Sequence, residues 1–153
     1  MNLIKTVSTG PAEAPISPLH EMGAYEKLWL EEGAWFKSIA EKFASDPNAL
    51  PSDFVPASEA IPIARQVIDR FAAADVDDFG IRINHAGEYP LRLRDARHPL
   101  EVLYFRGTWE LSETRSVAVV GSRKPSDDGI KRAQYLSKQL VENGFTVGSN
   151  LCF

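Results

Sequence analysis

Apolar side chains recur at three- and four-residue spacing through residues 21–44, at Tyr25, Leu28, Trp29, Phe36, Ile39, Ala40 and Phe43. That period is the signature of one amphipathic helix, with a break near Gly33. Its aromatic stripe is the pattern of a core or a partner surface. Residues 1–20 show no period and are rich in Pro, Ser, Thr and Ala, which predicts a mobile tail. Residues 45–57 carry Pro47, Pro51 and Pro56 and read as a linker, so that 21–57 forms an N-terminal helix and linker. A second helix is predicted over 58–74, with Ser58 as N-cap and Ile63, Val67, Ile68 and Phe71 buried.

The texture then changes. Phe79-Gly-Ile-Arg-Ile83 alternates apolar and polar residues, and Val102-Leu-Tyr-Phe105 is apolar throughout, so two short strands are expected. Between them 85–93 is a loop that enters another short element, and Pro90 and Pro99 keep the strands short or at edges. Arg115-Ser-Val-Ala-Val-Val-Gly-Ser-Arg-Lys-Pro-Ser126 comes next. Its apolar run 117–120 has the pattern of a parallel strand buried on both faces, and Gly121 permits a sharp turn or close approach to a ligand. An amphipathic helix over about 128–143 should bury Ile130, Ala133, Leu136, Leu140 and Val141, capped by Asp127, Asp128 or Ser126. Gly144 suits the left-handed position after its end, and Phe145-Thr-Val147 is a second strand. Strand, turn, helix and strand make one β-α-β unit, which sets the fold class as α/β with N-terminal helices.

The 153 residues are 44% hydrophobic and 25% charged, ordinary for a soluble globular chain. No apolar run approaches the ~20 residues that span a bilayer, and the N-terminus lacks a secretory signal. With Cys152 as its single cysteine the chain has no intramolecular disulfide, and a cytoplasmic location is expected. The net charge of −4 is unevenly spread: 115–138 holds six cations (Arg115, Arg123, Lys124, Lys131, Arg132, Lys138) against Asp127 and Asp128. Such a basic segment attracts phosphates even on an acidic chain. For Lys131, Arg132 and Lys138 a solvated helix face is the simpler account.

Ligands of open α/β sheets bind at the carboxyl ends of strands, where Gly121, Ser122, Arg123, Lys124 and Ser126 fall. The turn offers backbone amides, two hydroxyls, a guanidinium and an ammonium, a set suited to phosphate. The acidic pair at the helix start opposes a phosphate placed directly on that end. The motif is neither Gly-x-Gly-x-x-Gly nor a Walker loop, so no dinucleotide or nucleoside triphosphate cofactor is implied. His20, His85 and His98 lack metal-ligand spacing, and no nucleophile–base pair stands out, so neither a metal nor catalysis is expected.

The same residues carry a resemblance. Arg115 to Ser126, Gly129 and Asn143-Gly-Phe-Thr-Val147, preceded in order by Gly87-Glu-Tyr-Pro-Leu-Arg-Leu93 and His98-Pro-Leu-Glu-Val-Leu-Tyr-Phe-Arg-Gly107, resemble the DprA/Smf family of DNA-processing proteins. The resemblance covers about 57–147. It implies that 58–153 is the first part of an extended Rossmann-like domain that binds single-stranded DNA. It also implies a role in DNA uptake, natural transformation and recombination, with a RecA-type recombinase as partner. The arginine of the family's Gly-Ser-Arg motif faces its DNA pocket, and here that residue is Arg123.

Two departures stand out. Residues 1–57 show no Gly-Val-Gly hairpin of the family's N-terminal module. After Val147 the family's second glycine-rich loop is not found, so the chain is expected to be a shortened member, through a frameshift or premature stop. A shortened sheet should leave 145–147 as an open edge and favour self-association. Two other readings stay open: a nucleotide-binding enzyme of the phosphoribohydrolase type, and a non-functional remnant.

Overall fold

A computed structural model describes residues 16–87 and 89–149. Two compact units divide the chain between Gly107 and Thr108, a boundary that falls inside the segment expected to be one partial domain. The tail expected over 1–20 lies mostly outside the described residues, and helix α1 already starts at Pro18.

In the first unit the amphipathic stretch expected over 21–44 is broken near Gly33, as its pattern suggested, into α1 (Pro18–Trp29) and α2 (Phe36–Ala44). The chain reverses through Gly33, whose φ of +76° is one that a side chain would disfavour. Ser17 caps α1 by accepting from the His20 amide, with Pro18 in the first turn. The 45–57 stretch is not a free linker. Pro51–Phe54 forms a single helical turn, α3, and Ala49, Pro51 and Val55 are buried. Buried Glu21 holds that turn to α1, its Oε2 accepting from the Ser52 amide at 2.9 Å. An acceptor at the open N-terminal amides of a helical turn satisfies donors that burial would otherwise strand.

Helix α4 (Ala57–Ala73) begins one residue earlier than expected, with Pro56 as its N-cap and Ser58 inside the first turn. Its buried positions are Ala60 and Ala64, while Ile63, Val67, Ile68 and Phe71 are half-buried. The small residues face Gly23 of α1, where the two backbones come into direct contact. The unit's core joins Met22, Tyr25 and Leu28 of α1, Ile39 and Phe43 of α2, and the inward positions of a small sheet.

That sheet pairs β1 (Gly80–Ile83) with β2 (Val102–Phe105) antiparallel, Ile83 opposite Val102. Ile81 and Ile83 are buried, as the period-two pattern requires. Phe71, Phe79 and Tyr104 pack edge to face, with centroids 4.7–6.3 Å apart. The short element before β2 is one helical turn, α5 (Leu91–Arg94).

The second unit holds a 3₁₀ turn (Trp109–Glu113), β3 (Ser116–Ala118), α6 (Asp127–Glu142) and β4 (Thr146–Gly148). β3 and β4 are parallel, with Val117 opposite Val147, and the ladder extends through the Val119 amide to the Gly148 carbonyl at 2.8 Å. The predicted β-α-β order is therefore present. The expected burial is not. Val117 and Val119 are half-buried, and Ala118 and Val120 are exposed. On α6, Ile130, Ala133, Leu136 and Val141 are exposed and Leu140 is half-buried. A sheet of two strands offers one short face to one helix, too little to cover either apolar stripe. Among the described residues no helix is long and apolar enough to cross a membrane.

Candidate nucleic-acid interface

Local sequence signals fix α6 at both ends, and so fix the turn that precedes it. Ser126 is the N-cap, its Oγ accepting from the Gly129 amide at 3.2 Å, which resolves the three capping candidates. Asp127 and Asp128 occupy the first turn, where negative charge complements the helix dipole. At the other end the Gly144 amide donates to the Val141 carbonyl and the Phe145 amide to the Leu140 carbonyl, both at 3.0 Å. With Gly144 at φ +76°, this is a Schellman closure. It turns the chain straight into β4. The Arg115 guanidinium lies 4.4 Å from the centre of the Phe145 ring and ties the starts of the two strands together.

A cleft of about 780 Å³ opens at the carboxyl ends of β3 and β4, beside the first turns of α6. Its lining is apolar in part, from Val119, Val120, Pro125, Ile130, Ala133 and Val147, and polar in part, from Ser122, Lys124, Ser126, Gln134, Ser137 and Ser149. Of the residues singled out from sequence, Gly121, Ser122, Lys124 and Ser126 line this cleft together. Arg123 is exposed on the same turn but is not among the lining residues. Ser122 shapes the turn by accepting from the Lys124 amide at 3.2 Å.

Gly121 is not held in a left-handed conformation, and a Cβ there would meet nothing within 4 Å. The turn therefore does not require glycine for its own geometry. What glycine provides is an open stretch of backbone on the cleft wall. Chemically, the site combines one ammonium, four hydroxyls and backbone amides with apolar side chains, a set suited to an anionic ligand carrying an apolar part. Among the described residues no group of three His, Cys, Asp or Glu side chains could hold a metal.

A parallel β-α-β unit with a cleft at its strand ends has the local topology of an open α/β sheet. Residues 81–152 match the family described as DNA recombination-mediator protein A. The chain is also 35% identical over 68 residues to the protein Smf of Synechocystis sp., a match that covers 42% of this chain and 17% of that relative. No solved structure matches it significantly. Through this segment the chain is similar to the DprA/Smf family of DNA-processing proteins. It spans about a sixth of the curated relative's length.

Sequence reasoning passed over one constellation in the first unit. Asn84, directly after β1, donates from Nδ2 to Glu101 Oε2 at 3.0 Å and accepts at Oδ1 from Arg94 Nε at 3.0 Å. Asn84 and Glu101 are each 2% exposed. Burial pushes the Glu101 carboxyl above its ordinary value, opposed by the Asn84 hydrogen bond and the Arg94 charge. The one sequence cue was an asparagine ending an apolar strand. Such a residue is buried only if a partner meets it.

Proposed function

We propose that the cleft at the ends of β3 and β4 holds the sugar–phosphate backbone of single-stranded DNA, and that the chain acts in DNA recombination. The observation that carries this reading is the convergence of Ser122, Lys124 and Ser126 on one cleft within the segment that matches the family. Lys124 supplies the charge for a phosphate and the hydroxyls supply hydrogen bonds. The apolar side chains take the sugar or base edge. Arg123, exposed beside the cleft, meets a neighbouring phosphate along the strand. No aromatic side chain among the described residues lines the cleft, so affinity comes from the backbone more than from base stacking. A RecA-type recombinase and a role in DNA uptake extend the same proposal.

The test is fluorescence anisotropy with labelled oligo-dT across a salt series. For single strands the slope of log K against log salt is about −0.7 per phosphate neutralised. Lys124→Glu and Arg123→Glu should each lower affinity and flatten that slope by about 0.7 or more, because each removes a phosphate contact. Equal binding by parent and both variants rejects the site.

A further inference from the structure

The Arg94–Asn84–Glu101 chain lines a cavity of about 290 Å³ in the first unit. Phe43 of α2 contributes to an apolar side, and His85 and Arg97 complete the polar side. Its volume lies near the lower end of the ~300–1,000 Å³ range of small-molecule sites, so any occupant is small.

Three features set this cavity apart from a packing defect. First, it contains two almost fully buried polar side chains, which an apolar void does not. Asn84 stands between the guanidinium and the carboxylate and bonds to both, so the Arg94 charge is not cancelled by a direct ion pair with Glu101. Second, His85 sits at φ +67°, an unusual conformation for a residue other than glycine. The Asn84 side chain supports it, Oδ1 accepting from the His85 amide at 3.1 Å. Strain of that kind collects at ligand sites. Third, partial burial and the nearby Arg94 charge lower the His85 pKa, so its imidazole is neutral at pH 7 and able to accept or donate one hydrogen bond. Arg97, on the exit from α5, is exposed and brings a second guanidinium to the same cavity.

Two forked cations, a neutral imidazole, a buried acceptor and an aromatic wall form a recognisable chemical set. Guanidinium forks match the oxygens of a phosphate. We propose that this cavity binds a small organic phosphate of mononucleotide size or less. Its phosphate lies on Arg94 and Arg97, and its flat or apolar body lies against Phe43. Glu101 takes a hydroxyl or N–H of that body. Nothing in this assignment depends on the cleft at the end of β3.

The test is calorimetric titration of the full chain with thymidine 5′-monophosphate, inorganic phosphate and thymidine. The monophosphate should bind one per chain, inorganic phosphate more weakly, and thymidine not at all. Arg97→Gln, at an exposed position that leaves the fold intact, should weaken the monophosphate tenfold or more, and Arg97→Lys less. Lys124→Ala should bind it like the parent. The proposal is overturned if neither phosphate gives heat at millimolar concentration, or if thymidine binds as well as its monophosphate. It is equally overturned if Lys124→Ala abolishes binding while Arg97→Gln does not.

Discussion

Replacing Gly23 by alanine puts a methyl group where the α4 backbone already lies. A Cβ at that position would overlap the Ala60 carbonyl and reach the Ala64 Cβ at 3.0 Å. Neither neighbour is the mobile end of a long side chain, so relief requires α1 and α4 to move apart. Overpacking of this kind typically costs about 1–3 kcal/mol, and backbone contact puts this case at the upper end. Alanine recovers ~1 kcal/mol of helix propensity, leaving a net loss of ~2 kcal/mol. For a unit of this size that is a fall in Tm of about 8–16 °C. Thermal unfolding followed by far-UV circular dichroism measures it. Gly129→Ala is the matched control: it lies in the first turn of α6, where a Cβ would meet only Ser126 Oγ at 3.3 Å and Pro125 Cβ at 3.9 Å. That variant should melt at or above the parent temperature, since alanine gains helix propensity there without meeting a backbone. A Gly23→Ala protein that melts at or above the parent temperature would refute the close packing of α1 on α4.

Glu101 makes stability depend on pH in a definite direction. Its folded-state pKa is raised above the ordinary 4.5, so the folded chain holds this proton more tightly than the unfolded one. The contribution is complete below pH 4.5 and is lost as pH rises through the folded value. Glu101→Gln keeps an acceptor for Asn84 and removes the buried charge, so denaturant titrations should show a flatter pH profile and no loss of stability at pH 7. A steeper profile would contradict the assignment. Gly144→Ala should destabilise the second unit by about 1–2 kcal/mol, because alanine disfavours the left-handed cap. Hydrogen exchange at the last turn of α6 should accelerate, and unchanged exchange would argue against the Schellman closure. Gly121→Val should leave the melting curve alone, since a side chain there meets nothing. It should weaken oligo-dT binding by occupying the cleft wall, and undiminished binding would remove Gly121 from the site.

The β-α-β unit was legible because each boundary has its own local cause. Ser126 caps, Gly144 closes, and the β-branched run before Gly121 favours a strand. Burial was not legible. The run 117–120 has the composition of an interior strand, but how many strands and helices flank it is a property of the whole sheet, and Val120 is 68% exposed. The prolines of 45–57 suggested a linker, yet Pro51 opens a buried turn because proline suits the first position of a helix. The Arg94–Asn84–Glu101 chain could not be read from spacing. Its members lie 10 and 17 residues apart, and pairing of Ile83 with Val102 brings two of them together. At the candidate site, the sequence singled out the turn but not the division within it, with Lys124 on the cleft and Arg123 beside it.

The central claim is that the cleft carrying Lys124 binds the backbone of single-stranded DNA. The most direct measurement is the salt dependence of oligo-dT binding by the parent chain and Lys124→Glu, with Glu101→Gln as a control outside the cleft. The account predicts salt-sensitive binding by the parent and by the control, and a weaker, flatter dependence for Lys124→Glu. Salt-insensitive binding, or three identical salt slopes, would contradict it.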